Sequence, residues 1–289
     1  MKRMILAAAV LLAPALAHAQ DIVGRNAAVK GKVTIASDGA AARAAVIKED
    51  VKLRDEVTSA ANSALQVLLL DEMVFTVGPE ARLTIDRFVY DPSAKTGGLD
   101  ATVKKGMFRF MSGKTARTGR DAVSIDTPVA SLGVRGTVVE GLVGREAIDE
   151  ARRLGLLDPT VGVDPDGATL FVLRGPGPGK NSRDRRGEIE VSTRSGSVTL
   201  HRPGQAVFVA NADADVPAPT TLTTAQLARF DDALRTRPTT GPTFRPFDVE
   251  VDLPPSRRKR DRDPVAEPLD PLSDLDWPDE DPFGGDCFC

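Results

Sequence analysis

Residues 125–137 read Ile125-Asp-Thr-Pro-Val-Ala-Ser-Leu-Gly-Val-Arg-Gly-Thr137. Val123, Ile125 and Thr127 alternate with Ser124 and Asp126, the two-residue period of a half-buried strand, and Pro128 ends it. Val129 to Val139 then returns to β character around a Gly-Val-Arg-Gly-Thr turn. Upstream the same punctuation recurs. Leu99, Ala101 and Val103 alternate with Asp100, Thr102 and Lys104, and Met107, Phe108 and Phe110 continue after Gly106. Met73 to Val77 and Ala81 to Ile85 flank Gly78-Pro79, and Phe88 to Tyr90 prolongs the pattern to Asp91-Pro92. The dense run Leu65 to Leu70 reads as a strand buried on both faces. Val29, Val33 and Ile35 share one parity, which predicts a single half-buried strand over Ala27 to Ile35.

Downstream, Thr169 to Leu173, Ile189 to Val191, Val198 to Leu200 and Ala206 to Val209 read as further strands. Two helical patterns interrupt them. Ile148, Ala151 and Leu154 recur at three-residue spacing within Arg145 to Leu154, with Gly155 as a stop. Thr223-Thr224-Ala225-Gln226 has capping-box form ahead of Leu227, Phe230 and Leu234. Together these predict an all-β domain, a sandwich, roll or solenoid, with short helical insertions and a disordered C-terminal tail.

The ends differ in kind. Lys2 and Arg3, the apolar run Ile5 to Leu16 and Ala17-His18-Ala19 before Gln20 have the three parts of a signal peptide cleaved between Ala19 and Gln20. The apolar run is shorter than the ~20 residues of a bilayer span, and no later stretch predicts one. From Gly241 onward there are nine prolines and thirteen acids against six bases, a net of −7 within a chain of net −3. Such a composition does not offset the entropy of ordering, so 241–289 is expected to be disordered. It contains the basic block Arg257-Arg258-Lys259-Arg260 and both cysteines, Cys287 and Cys289, whose i, i+2 spacing would strain an internal disulfide.

The chain is poor in reactive groups. Its two histidines are His18, lost with the leader, and His201, at a turn before Pro203-Gly204. Gly175 to Gly187 fails the Walker spacing, and its prolines remove the backbone donors that a phosphate needs. Asp164-Pro-Asp166-Gly167 reads as a turn, because the later ligands of a calcium loop do not follow. Asp71-Glu72 reads as a solubilising pair at a turn or edge. No catalytic, cofactor or metal site is expected. The net charge of −3 argues against nucleic acid as partner.

Three stretches, Val74 to Ile85, Lys105 to Lys114 and Ile125 to Thr137, resemble the FecR domain family of bacterial envelope proteins. Pro203-Gly-Gln205 within Gly196 to Val209 resembles the family's closing strands, so the likeness spans Gly24 to Val209, interrupted at Gly141 to Gly187. The resemblance implies a periplasmic, noncatalytic β domain. Well-known members span the membrane and regulate sigma factors. This chain, with a cleavable leader and no cytoplasmic region ahead of the β domain, is expected to lack the part that touches a sigma factor.

The expected organisation is a signal peptide at 1–19, the main β domain at 20–140, an insertion at 141–187, closing strands at 188–210, a linker and amphipathic helix at 211–240, and the tail at 241–289. Thr127, Pro128, Gly133, Arg135, Gly136 and Thr137 carry the family motif and are expected to be structural. Gly133 and Gly136 would serve tight backbone geometry, and Arg135 would pair with a carboxylate or carbonyls. The expected function is an interaction module for another envelope protein, in the periplasm or secreted. The alternative is a structural or glycan-associated envelope protein whose basic segments meet anionic glycan or lipid.

Overall fold

The computed structural model of the protein describes residues 22–236, apart from 38, 118, 120–121 and 176–186. The expected leader with Ala19 and Gln20, the interior of the Gly175 to Gly187 loop, Arg257 to Arg260, Cys287, Cys289 and the whole 241–289 tail lie outside the described residues.

The described strands are β1 (Ile22–Lys30), β2 (Val33–Ala36), β3 (Arg43–Ala44), β4 (Asp50–Lys52), β5 (Glu56–Ser59), β6 (Ala64–Leu69), β7 (Val74–Val77), β8 (Arg82–Asp91) and β9 (Thr96–Met111). After a short 3-10 turn come β10 (Val123–Asp126), β11 (Ser131–Arg135), β12 (Val138–Val143), helix α1 (Arg145–Leu154), β13 (Thr169–Gly175), β14 (Glu188–Ser192), β15 (Ser197–Leu200), β16 (Gln205–Val209), β17 (Thr220–Thr221) and helix α2 (Thr224–Ala233). All the strands join one hydrogen-bonded network. It divides into two faces. Sheet A runs β4-β1-β6-β7-β9-β12-β13-β16-β17, all antiparallel. Sheet B runs β3-β2-β5-β8-β9-β10-β11-β14-β15, antiparallel except for the parallel β9–β10 pair.

β9 belongs to both. Thr96 to Lys105 pairs with β8 in sheet B, and Gly106 to Met111 pairs with β12 in sheet A. The change occurs at Gly106, whose φ is 81° and whose missing side chain lets the strand lie against the backbone of Glu80 and Ala81. The inward parity of the two sheets fills one core: Val67, Phe75, Phe108, Phe110 and Phe171 from sheet A meet Ile35, Leu83, Ile85, Leu99, Ile125 and Leu132 from sheet B. Phe75 and Phe110, direct partners across β7–β9, have ring centroids 4.8 Å apart at 51°, the tilted arrangement aromatic pairs favour.

A second apolar cluster lies on the outer face of sheet A. Leu142, Leu170, Val172 and Phe208 are covered there by Ala147 and Ala151 of α1 and by Phe230 of α2. α1 ends at the left-handed Gly155. α2 begins with the expected capping box: the Gln226 amide donates to Thr223 Oγ1 at 3.3 Å, and the Thr223 amide donates to Gln226 Oε1 at 2.7 Å. Within the stretch 141–187, β13 pairs with β12 on one side and β16 on the other, so this stretch supplies a strand to the middle of sheet A as well as α1.

Four readings are corrected. Ala27 to Ile35 is two strands in different sheets, because Gly31 turns at φ 69° against Ser63 and carries the chain from A to B. β6 is buried on one face: Leu65, Val67 and Leu69 point into the core, Gln66 and Leu68 are half-buried on the outer face, and Leu70 is 56% exposed past the strand end. The Gly-Val-Arg-Gly-Thr stretch is mostly strand, with Gly133 to Arg135 in β11 and the turn confined to Gly136 and Thr137. Asp71 is fully buried and accepts from the amides of Met73 at 3.1 Å and Thr115 at 3.2 Å, tying the β6–β7 turn to the segment after β9. Glu72 alone is exposed as expected, paired with Lys114.

Candidate interaction surface

Three strands of sheet A place charges on the outer face, within or at the end of otherwise apolar runs. Arg109 interrupts Met107-Phe-Arg-Phe-Met111, Glu140 interrupts Val138-Val-Glu-Gly-Leu-Val143, and Arg174 follows Thr169-Leu-Phe-Val-Leu173. Strand register makes Glu140 the direct partner of Arg109 across β9–β12, with Val172 opposite on β13. A charge taken out of water needs a partner, and here each one has it. Arg109 Nε donates to Glu140 Oε1 at 2.7 Å, and Arg174 Nε lies 3.5 Å from Glu140 Oε2. The Glu140 side chain is 0% exposed, and Oε2 has that charge contact but no hydrogen bond. Burial pushes the Glu140 carboxyl above its ordinary value, against the opposing pull of Arg109 and Arg174.

Helix α2 completes the cluster. Asp231 offers one oxygen to each arginine: Oδ1 accepts from Arg109 Nη2 at 2.7 Å, and Oδ2 accepts from Arg174 Nη2 at 2.7 Å. Arg174 Nη1 also donates to the Leu227 carbonyl at 3.0 Å. Two carboxylates and two guanidinium groups thus alternate from strand to helix. Beside the C-terminal turn of α2 lies a cavity of about 300 Å³, lined by Gln66, Thr76, Arg109, Asp231, Leu234 and Arg235. The composition of the chain gave no hint of this site, but a readable signal existed: a lone charge inside two apolar strand runs and another at the end of a third.

A second cavity, of about 360 Å³, lies where α1 begins, and its lining includes Glu80, Arg82, Lys104, Lys105, Arg145 and Asp166. Its charges are mixed, and Glu56 engages both Lys104, at 2.8 Å, and Arg82, at 3.6 Å.

The motif residues lie away from both cavities. Thr127 closes the β10–β11 turn, its Oγ1 donating to the Ala130 carbonyl at 2.9 Å, and Pro128 sits in that turn. Arg135 spans the carboxylates of Glu188 and Glu190 on the neighbouring β14. Gly136 has φ 59°, a conformation that favours glycine, whereas Gly133 has no positive φ and room for a Cβ, its nearest neighbours being 3.9 Å away on Glu190. Thr137 is buried, and its Oγ1 donates to the Gly175 carbonyl at 2.8 Å. These contacts are internal to the fold. His201 stands in an exposed turn, its amide held by Gln205 Oε1 at 2.9 Å. Asp164 Oδ1 accepts from the amides of Asp166 and Gly167, each at 3.0 Å, the hydrogen bonds of a turn. Among the described residues, no three His, Cys, Asp or Glu side chains are grouped to hold a metal ion, and no helix is long and apolar enough to cross a membrane.

A family model described as FecR protein matches residues 55–153. Among solved structures, two crystal structures of a candidate anti-sigma factor from Parabacteroides distasonis ATCC 8503 are similar at 13% identity, with TM-scores of 0.37 and 0.36. The alignments cover 60% of this chain and 62% of those, so less than two thirds of either. No curated protein matches the chain. The matched family stretch runs from Asp55, just ahead of β5, into α1, and takes in the sheet-switching β9, the motif turn and two of the three strands that build the charged face. Over residues 55–153 the chain therefore matches the FecR domain family.

Proposed function

We propose that the protein is a noncatalytic interaction module that binds another cell-envelope protein, acting in the periplasm or after secretion. The observation that supports this reading is the FecR match over residues 55–153. The motif residues fit a structural role in it, since Thr127, Arg135 and Thr137 all spend their polar groups on neighbouring elements of the same fold. The leader-like start, Lys2-Arg3 through Ala19, is the basis for export.

The test is a crosslinking capture from a periplasmic extract with the full mature chain, at low and high salt. One stoichiometric protein partner retained at high salt is the expected result. Capture of salt-labile anionic polymer alone would overturn it in favour of a structural or glycan-associated role, because exposed charge contacts are screened by salt.

A further inference from the structure

We propose that the outer face of sheet A beneath α2 is a docking surface for an amphipathic helix of a partner protein that presents a carboxylate beside its apolar face, and that α2 is the occupant such a helix replaces. This rests on the interaction-module reading and adds to it a surface and a class of partner.

The fixed half of the surface belongs to the strands. Arg109 on β9 is hydrogen-bonded from behind by the buried Glu140 of β12, and Arg174 on β13 lies 3.5 Å from the second oxygen of the same carboxylate, so the strands themselves hold both arginines beside one buried charge. Two arginines against one carboxylate leave a positive site that calls for a second carboxylate. Asp231 fills it with one oxygen per arginine. Beside that fork, α2 lays Leu227, Phe230 and Leu234 on the sheet, the i, i+3, i+7 spacing of a helix seated in a groove. Leu227 lies near Gly204 and Leu234 against Gly78, so the seat extends from the β16 side to β7.

α2 fills this seat incompletely. Of its ten residues Phe230 alone is fully buried, the Asp231 side chain is 48% exposed, and the cavity of about 300 Å³ remains beside its last turn. A helix of this length is marginal by itself and is held by its cap and its contacts. The surface therefore suits a longer helix with apolar residues at i, i+3 and i+7 and a carboxylate at i+4. Such a helix would keep the arginine fork satisfied while extending over Gln66 and Thr76.

The test uses the full chain with its own helix weakened by Phe230→Ala and Asp231→Asn, which leave the strands untouched. The probe is a fluorescein-labelled synthetic peptide with the chain's own sequence from Thr223 to Thr236. Saturable binding at least tenfold tighter to the weakened chain than to the wild type is expected, and Asp231→Lys in the peptide should reduce it at least tenfold. No saturable binding, or binding indifferent to Asp231→Lys, would overturn the proposal. Hydrogen exchange on the wild-type chain gives a second measurement. The α2 amides should exchange at least a hundredfold faster than those of β12, and equal protection would show that α2 is not displaceable. In the capture experiment, an envelope protein bound equally by the wild type and the weakened chain would preserve the module reading and overturn this surface. Peptide binding with no captured protein would overturn the module reading and leave the surface standing.

Discussion

Gly141 of β12 lies beneath the ring of Phe108, its direct partner on β9, and a side chain at 141 would occupy the space of that ring. Phe108 is fully buried and sits in the core between the sheets. The Gly141→Ala variant should therefore lose about 1–3 kcal/mol, the usual cost of overpacking a filled core. The check is a denaturant titration, in which the midpoint should fall with little change in slope. An unchanged midpoint would mean that the ring has room to move.

Asp71 and Glu72 are adjacent in sequence and opposite in consequence. Asp71→Ala would strand the buried amides of Met73 and Thr115, at a cost of about 2–3 kcal/mol. Asp71→Asn keeps an accepting oxygen and should cost less. Glu72→Ala removes only an exposed pair with Lys114 and should stay within about 0.5 kcal/mol. Thermal midpoints of the three variants give the ranking. A Glu72 variant as damaging as Asp71→Ala would contradict it.

Burial raises the Glu140 carboxyl above its ordinary value of 4.5. A raised folded-state pKa means that the folded chain takes up the proton more readily than the unfolded one. The stability gained from protonation is fully present below pH about 4.5 and is lost as pH rises through the elevated folded value. The stability of the wild type relative to Glu140→Gln should therefore decline as pH rises through that window. Unfolding titrations from pH 4 to 8 test the sign. A difference that grows with pH would show that Arg109 and Arg174 outweigh burial and hold the pKa down.

Thr223 caps α2 reciprocally with Gln226. Thr223→Ala should cost about 1 kcal/mol, localised to that helix, while Thr223→Ser should retain most of the cap. Hydrogen exchange on α2 should quicken several-fold in the alanine variant, with β12 unchanged. Equal acceleration in β12 would mean that helix and sheet open together.

Both helices were legible because their signals are local: a capping box, a stop glycine and three-residue apolar spacing. Half-buried strands such as β10 and the first part of β9 were legible from alternation. What stayed hidden depends on partners distant in sequence. Nothing near Gly31 states that the strands on its two sides join different sheets. Asp71 looks like a surface acid until Thr115, far along the chain, supplies the amide that buries it. The charged face needed the register that sets Arg109 against Glu140 and the helix that brings Asp231 over them. The motif glycines divide on the same ground, since only Gly136 has a φ that asks for glycine.

The passage of β9 through both sheets also governs how the protein can come apart. Its first part is bordered by β8 and β10, and its last part by β7 and β12. Peeling either sheet away means breaking a strand of the other, so neither has a plane along which it can separate alone. Loss of structure in this region should be all-or-none, without a half-molecule intermediate. During synthesis the same strand must wait for β12, which begins 27 residues after Met111 at Val138, before its second edge is closed. Until then a long exposed edge is open to wrong pairing, and folding is bound to run late and at once rather than piece by piece.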